Sequence, residues 1–286
     1  MAELSFVHTG PASRLQCDAI PMLAVCFDEF VEFQKRFGNR FPFVEESFLA
    51  LCGQQIVGHA GLMPMRVYGR DGEIISMAGL ASVAVHPDFR KQGIAAQLCN
   101  MAAAWAEEHQ FALLPLYTGL NRVYESCGWR NFAVNSVTLI NPDRCGRKGK
   151  CGAELTEEEK KYIISSYEGS PVFSGKVIRE KDTFFHSWER MFNETFFTWY
   201  LDSDGYALEY AGFAAEGSSE KACSSLEKAF LSPEDPLTER LLLSGWRVEK
   251  VDDHAPACWG GENVMIRSCK DMTQSENLFF SLADKF

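Results

Sequence analysis

The sequence predicts a mixed α/β (α+β) protein built on a mixed, mostly antiparallel sheet flanked by helices. Three observations point there. Apolar, β-branched runs succeed one another between residues 47 and 85 with only tight-turn signals separating them. A strong 3.6-residue apolar period then occupies residues 94–109. Past residue 140 a polar, Pro- and Gly-rich break precedes a second series of mixed patterns, so the 286-residue chain divides in two.

Each element follows from its own pattern. Residues 4–9 alternate apolar and polar side chains and predict a first strand. Helical periodicity from Ser13 to Phe37 puts Phe27, Phe30, Val31, Gln34 and Phe37 on one face, with Asp28, Glu29 and Glu32 off it. "SFLALC" and "QQIVGHAGLMPMRVY" are parted by Gly53, and the Asp71-Gly72 pair marks a hairpin before "EIISMAGLASVAV", which predicts three sequential antiparallel strands. In the helix over 94–109, Ile94, Leu98, Met101, Ala102, Trp105 and Ala106 recur at helical spacing. A strand "FALLPLYT", a short helix "NRVYESCG" ending on Gly128, and a strand "FAVNSVTLI" complete the first half. Beyond "NPDRCGRKGKCG", Thr156 with Glu159 three residues on predicts a capped helix over 156–168. Helical patterns at 183–194 and 219–230 and strand-like pieces "GYALEYAGFAA", "RVEKV" and "NVMIRSC" make the second half another α/β unit.

Charge and cysteine usage narrow the class. The net charge of -11 disfavours nucleic acid and anionic membrane as partners and mildly favours cationic ones. Most of the acidity belongs to the second half, with 14 basic and 25 acidic residues over 151–286 against 10 and 13 over 1–140. The ten cysteines are widely spaced, mostly within apolar segments, and predict reduced thiols in a cytoplasmic protein. Cys145 and Cys151 lack zinc-ligand spacing and a nearby histidine, so no metal is expected. The start has no basic stretch followed by an apolar one, and no run of about 18 apolar residues occurs, so neither secretion nor a membrane span is expected.

The stretch "SVAVHPDFRKQGIAAQL", residues 82–98, carries the chemistry. A strand, a loop of the form Arg-x-x-Gly-x-Ala and a helix leave unpaired N–H groups at the helix mouth, backed by the positive end of the helix dipole. Gly93 leaves room for a phosphate, Ala95 keeps the next turn clear, and Arg90 and Lys91 add charge at the rim. Taken alone, the loop fits an ordinary strand-to-helix turn with solvated basic residues better than an anion site.

It does not stand alone. "VAVHPDFRKQGIAAQL" resembles the acetyl-CoA-binding motif of the GNAT superfamily of N-acetyltransferases, with Val83, Val85, Pro87, Arg90, Gly93 and Ala95 in register. The resemblance implies the GNAT fold and acetyl-CoA as co-substrate. It assigns the pyrophosphate to the loop Arg90, Lys91, Gln92, Gly93, Ile94 and Ala95, and the pantetheine arm to the backbone of Ser82, Val83, Ala84 and Val85. "LNRVYESCGW" resembles a second block of the family and puts Tyr124 on its general acid, the phenol that protonates the departing thiolate. Tyr124 and Trp129 also fit plain core aromatics of a short helix and strand.

More narrowly, the two blocks together resemble the branch of enhanced-intracellular-survival aminoglycoside acetyltransferases. That resemblance implies a catalytic domain over 1–142, a linker over 143–153, and over 154–286 a second, degenerate GNAT-like domain without the coenzyme loop. The chain's last residues, "TQSENLFFSLADKF", are too short for the sterol-carrier-like domain that ends the branch's longer members, which puts a role for the Phe286 carboxylate in question. No general base is assigned: the strand position where many acetyltransferases keep a glutamate reads Met77-Ala78-Gly79-Leu80. His59 reads as a satisfied sheet residue and His86 as a rim residue, while Asp28, Glu29 and Glu32 could attract a cationic amine or form a solvated helix face. The expected function is acetyl-CoA-dependent transfer of an acetyl group directly to a primary amine of a small cation or peptide in a ternary complex, by a chain that could form homo-oligomers. The rival expectation is a catalytically silent coenzyme-A-binding regulatory protein.

Overall fold

The computed structural model describes residues 3–11, 13–37, 44–132, 136–140, 150–179, 188, 192, 198–201, 207–210, 228–252, 263–269 and 278. A strand β1 (Leu4–Thr9) leads into α1 (Arg14–Cys26), which Ser13 caps by accepting from the Gln16 amide, and then α2 (Asp28–Phe37). The single helix expected over 13–37 is thus two, because Phe27 adopts an extended backbone, φ -140° and ψ 124°, that no helix accommodates. Strands β2 (Glu46–Cys52), β3 (Gln55–Tyr68) and β4 (Ile74–Val85) form the predicted antiparallel meander. Helix α3 (Ile94–Glu108), strand β5 (Leu113–Thr118), the short α4 (Asn121–Glu125) and the two-residue strand β6 (Arg130–Asn131) follow.

Two layers of helix sandwich this sheet. On one face α3 buries Leu98, Cys99, Ala102, Ala103 and Ala106 against Phe48, Leu62, Ala78 and Leu80. The contact depends on Gly58, where a Cβ would come within 2.8 Å of Ile94 Cγ2 and 3.0 Å of Leu98 Cδ1. On the other face α1 and α2 bury Ala19, Ile20, Leu23 and Phe30 against Leu49, Met63, Ala81 and Ala84.

Beyond residue 132 the chain leaves this plan. The strand expected over "FAVNSVTLI" is described as β7 (Ser136–Ile140), with Phe132 outside any strand and residues 133–135 outside the described set. Strand β7 lies between β11 (Lys228–Leu231) and β12 (Arg247–Asp252), both from the second half. In return β13 (Asn263–Ser268) enters the first sheet between β5 and β6, giving the order β1-β2-β3-β4-β5-β13-β6 among the described residues. A third crossing seats residues 175–178 on the far end of β3, through the Tyr68 amide to the Lys176 carbonyl, 2.9 Å, and the Ile178 amide to the Arg66 carbonyl, 2.8 Å. Strand pairing therefore runs across the 143–153 stretch at several places. One core results, in which Met65, Val67, Ile75, Met77 and Leu113 pack with Val137, Leu139, Val177, Leu231, Leu241, Val264 and Ile266.

The remaining elements are β8 (Lys150–Cys151), α5 (Glu157–Gly169), β9 (Thr198–Leu201), β10 (Ala207–Tyr210) and α6 (Pro236–Leu243), with β8 and β10 flanking β9 in a small sheet. The predicted capping box is complete: Thr156 Oγ1 accepts from the Glu159 amide at 3.2 Å and Glu159 Oε2 from the Thr156 amide at 2.8 Å. The helix expected over 219–230 gives way at its end to β11, where pairing with β7 overrides helical periodicity, and residues 219–227 lie outside the described set. The helix expected over 183–194 also lies outside it, apart from residues 188 and 192. Among the described residues no helix is long and apolar enough to cross a membrane.

Candidate functional site

Strand β4 has two different ends. At its start it meets β5 through a single parallel pair, Met77 with Leu113, reinforced by the Ala112 amide to the Ser76 carbonyl at 2.8 Å. From there the two strands part, so the later residues of β4, including Ser82, Val83, Ala84 and Val85, keep β3 as partner on one side and have no β5 pair on the other. The opening is sharpened by a bulge. Register with β3 shifts between His59, opposite Ala84, and Gly61, opposite Ala81, and Ser82 adopts φ +50°.

A buried polar chain holds that bulge. His59 Nδ1 donates to the Ser82 carbonyl at 2.8 Å, which leaves Nε2 to accept from Ser47 Oγ at 3.2 Å. Ser47 Oγ in turn accepts from Gln16 Nε2 at 3.2 Å, and the same Nε2 donates to the Val44 carbonyl at 2.9 Å. His59, Ser47 and Gln16 are fully buried. Burial lowers the His59 pKa to about 4, so the ring is neutral near pH 7 and both its nitrogens have partners. That is the satisfied sheet histidine expected from the sequence; it is not placed to take a proton from a substrate.

Past β4, Pro87–Phe89 make one tight turn, the loop swings out, and α3 begins at Gly93. Gly93 sits at φ +78° as the N-cap and offers no side chain to cap the helix. The left-handed backbone calls for glycine in its own right, and a Cβ there would meet nothing within 4 Å, so the space above the helix mouth is open. The Ile94, Ala95 and Ala96 amides come before the first intrahelical donor, the Gln97 amide bonded to the Gly93 carbonyl at 3.1 Å, and lie at this open space. Ile94 sends its side chain into the core, whereas Lys91, at φ +63°, and Gln92 are exposed. Arg90 lies back on the strand end, its Nε donating to the Val85 carbonyl at 3.1 Å. His86 is a rim residue, its Nδ1 facing the Asp88 amide at 3.4 Å and its ring edge-on to Phe89. The loop fits a diphosphate on three observations: uncapped amides, an open glycine and a cationic rim.

Tyr124 lies on α4, half-buried, and packs on the same apolar cluster as Val83, Val85 and Ala96. Its ring meets Trp129 edge-on at 6.4 Å, and Trp129 is anchored by its Nε1 to the Leu114 carbonyl at 2.8 Å. Asp28 and Glu29 are exposed in the first turn of α2, on the opposite face of the sheet; Glu32 is on the same helix, with its side chain outside the described set. The α1–α2 joint touches the strand end, where Cys26 Sγ reaches the Val85 carbonyl at 3.7 Å. So β4, the loop and Tyr124 converge on the α3 face, and the acidic pair stands across β4 from them.

The sequence reading missed two parts of this arrangement. The bulge carries a serine where a glycine would have signalled it, and the Gln16–Ser47–His59 chain joins residues far apart in sequence.

Residues 17–132 match the family model of the acetyltransferase (GNAT) domain. The chain has the GNAT fold. It is similar to a GCN5-related N-acetyltransferase from Anabaena variabilis, at 15% identity and TM-score 0.53, over 93% of this chain and 73% of that one. A conserved protein of Enterococcus faecalis aligns at 16% identity and TM-score 0.55, again over 93% and 73%. Eis1 of Mycobacterium abscessus aligns at 13% identity and TM-score 0.52, over 93% of this chain and 74% of its own. No curated protein matches the chain at a significant level.

Proposed function

We propose that this protein is an acetyl-CoA-dependent N-acetyltransferase that passes an acetyl group directly to a primary amine, of the branch related to the enhanced-intracellular-survival enzymes, working in the cytoplasm. The observation that carries the reading is the parting of β4 from β5 beyond Met77 and Leu113, directly beside an uncapped helix mouth. An extended arm can add to the free edge of β4 as a strand would, with its diphosphate on the amides after Gly93. The thioester supplies an activated acetyl carbonyl in the gap. Asp28 and Glu29 stand on the other face of the sheet, a placement suited to drawing in a cationic amine from the side opposite the coenzyme. Both substrates then meet between the strands in one ternary complex. As the amine nitrogen bonds to the carbonyl and the carbon–sulfur bond breaks, the Tyr124 hydroxyl gives its proton to the departing sulfur, and the proton that the nitrogen sheds on becoming an amide passes to solvent water, from which the phenolate is reprotonated. The reduced thiols of Cys17, Cys26, Cys52, Cys99, Cys127 and Cys269 suit that compartment.

The test is release of free thiol from acetyl-CoA in the presence of aminoglycosides, polyamines or lysine peptides. Tyr124→Phe should lower kcat about a hundredfold while acetyl-CoA still raises the melting temperature. If acetyl-CoA stabilises the protein but no amine in the panel releases thiol, the silent coenzyme-binding reading replaces this one. Equal activity in Tyr124→Phe removes the acid role.

A further inference from the structure

The geometry points to Arg267 as a positioning residue that lets the second half of the chain hold Tyr124 in place, an assignment that rests on the acid role just proposed. Arg267 comes from β13, the strand that crosses into the first sheet, and it sits opposite Leu114 of β5. Its Nη1 donates to the Cys127 carbonyl at 2.8 Å and reaches Asn100 Oδ1 at 3.5 Å, while Nη2 pairs with Glu107 Oε1 at 3.2 Å. Its Cζ lies 5.4 Å from the centre of the Trp129 ring. One guanidinium thus ties α3, the turn after α4 and the tryptophan to β13.

That turn is the support of Tyr124. The Cys127 and Trp129 amides both donate to the Tyr124 carbonyl, at 2.9 and 3.1 Å. Trp129 packs on the tyrosine ring and is itself pinned to Leu114, the residue facing Arg267 across the ladder. Helix α4 has five residues, fewer than two turns, and cannot hold a side chain rigidly by its own hydrogen bonds. The clamp replaces that missing rigidity with a planar fork whose donors reach three directions at once, which a lysine ammonium cannot reproduce. Half of this clamp, Asn100, Glu107, Cys127 and Trp129, belongs to the first half of the chain, and the other half arrives only when β13 inserts. Acetyl transfer therefore depends on the second half even though the coenzyme loop and Tyr124 lie wholly in the first.

The experiment uses the full chain and four variants: Arg267→Gln, Arg267→Lys, Tyr124→Phe and the double variant Arg267→Gln/Tyr124→Phe. In thiol release with acetyl-CoA and an accepted amine, Arg267→Gln should lower kcat on the order of tenfold with the KM for acetyl-CoA unchanged, and Arg267→Lys should recover only part of it. In the Tyr124→Phe background, Arg267→Gln should cost nothing further, because the group it positions is gone. Amide exchange at Cys127 and Trp129 should speed up on the order of tenfold in Arg267→Gln while amides of the β3–β4 ladder stay protected. Additive losses of kcat in the double variant, or unchanged exchange at both amides, overturn the assignment. If Arg267→Gln does not fold, Arg267→Lys carries the same cycle. Failure of Tyr124→Phe to lower kcat refutes the acid role, and amide exchange still judges the clamp by itself.

Discussion

The two ends of the central β3–β4 hairpin are built from different side chains for different tasks. Near its turn, Met65, Val67, Ile75 and Met77 are long, apolar and fully packed against strands from both halves of the chain. At the other end β4 reads Ala78, Gly79, Leu80, Ala81, Ser82, Val83, Ala84, mostly small, with a bulge and an unpaired edge. Large side chains close a strand against its own chain. Small ones leave its backbone approachable, and here a buried hydrogen-bonded histidine supplies the rigidity that packing supplies at the closed end.

The comparison can be broken first at the closed end. Ile266→Ala, in a fully buried position on the exchanged strand, should cost about 3 kcal/mol in urea unfolding, and the loss should be felt by both halves together. A shift confined to one half would show that the strand exchange does not couple them.

The open end should instead respond to acid. His59 has an ordinary pKa near 6.5 when unfolded and about 4 when folded, so between those values the unfolded chain binds a proton that the native one refuses. Stability from this site is present above pH 6.5, declines as pH falls toward 4 and is fully lost below, a difference of about 3 kcal/mol at most. His59→Gln should flatten that window in pH-dependent unfolding relative to wild type. An unchanged slope would mean that the ring is not the group refusing the proton.

At the mouth of α3, Gly93→Val should weaken acetyl-CoA binding on the order of a hundredfold, the loss of one or two hydrogen bonds to a charged group, measured by calorimetry. Binding unchanged by the side chain would move the diphosphate elsewhere. The smallest effect lies away from both ends: Thr156→Ala removes the α5 capping box and should cost about 1 kcal/mol without altering acetyl-CoA affinity.

Much of the candidate site was legible because its signals are local. The loop from Arg90 to Ala95, with its glycine leaving room for a phosphate, and the short helix of Tyr124 each announce themselves within a few residues. The break at Phe27 was not legible, since the apolar spacing of 13–37 runs through it and only the docking of α1 and α2 on Ala81 and Ala84 requires two helix directions. Neither was the Ser82 bulge, where a buried histidine from the neighbouring strand, rather than a glycine, secures a positive φ.

The sequence by itself determined the secondary elements of residues 46–125 and the place of the anion loop, because periodicity, turn residues and a helix mouth are set by neighbours in the chain. Only the tertiary structure decided which sheet β7 and β13 would join. An alternating apolar strand such as Asn263–Ser268 suits any free edge of matching pleat, and the choice of β5 is made by contacts more than a hundred residues away, the Arg267 fork among them.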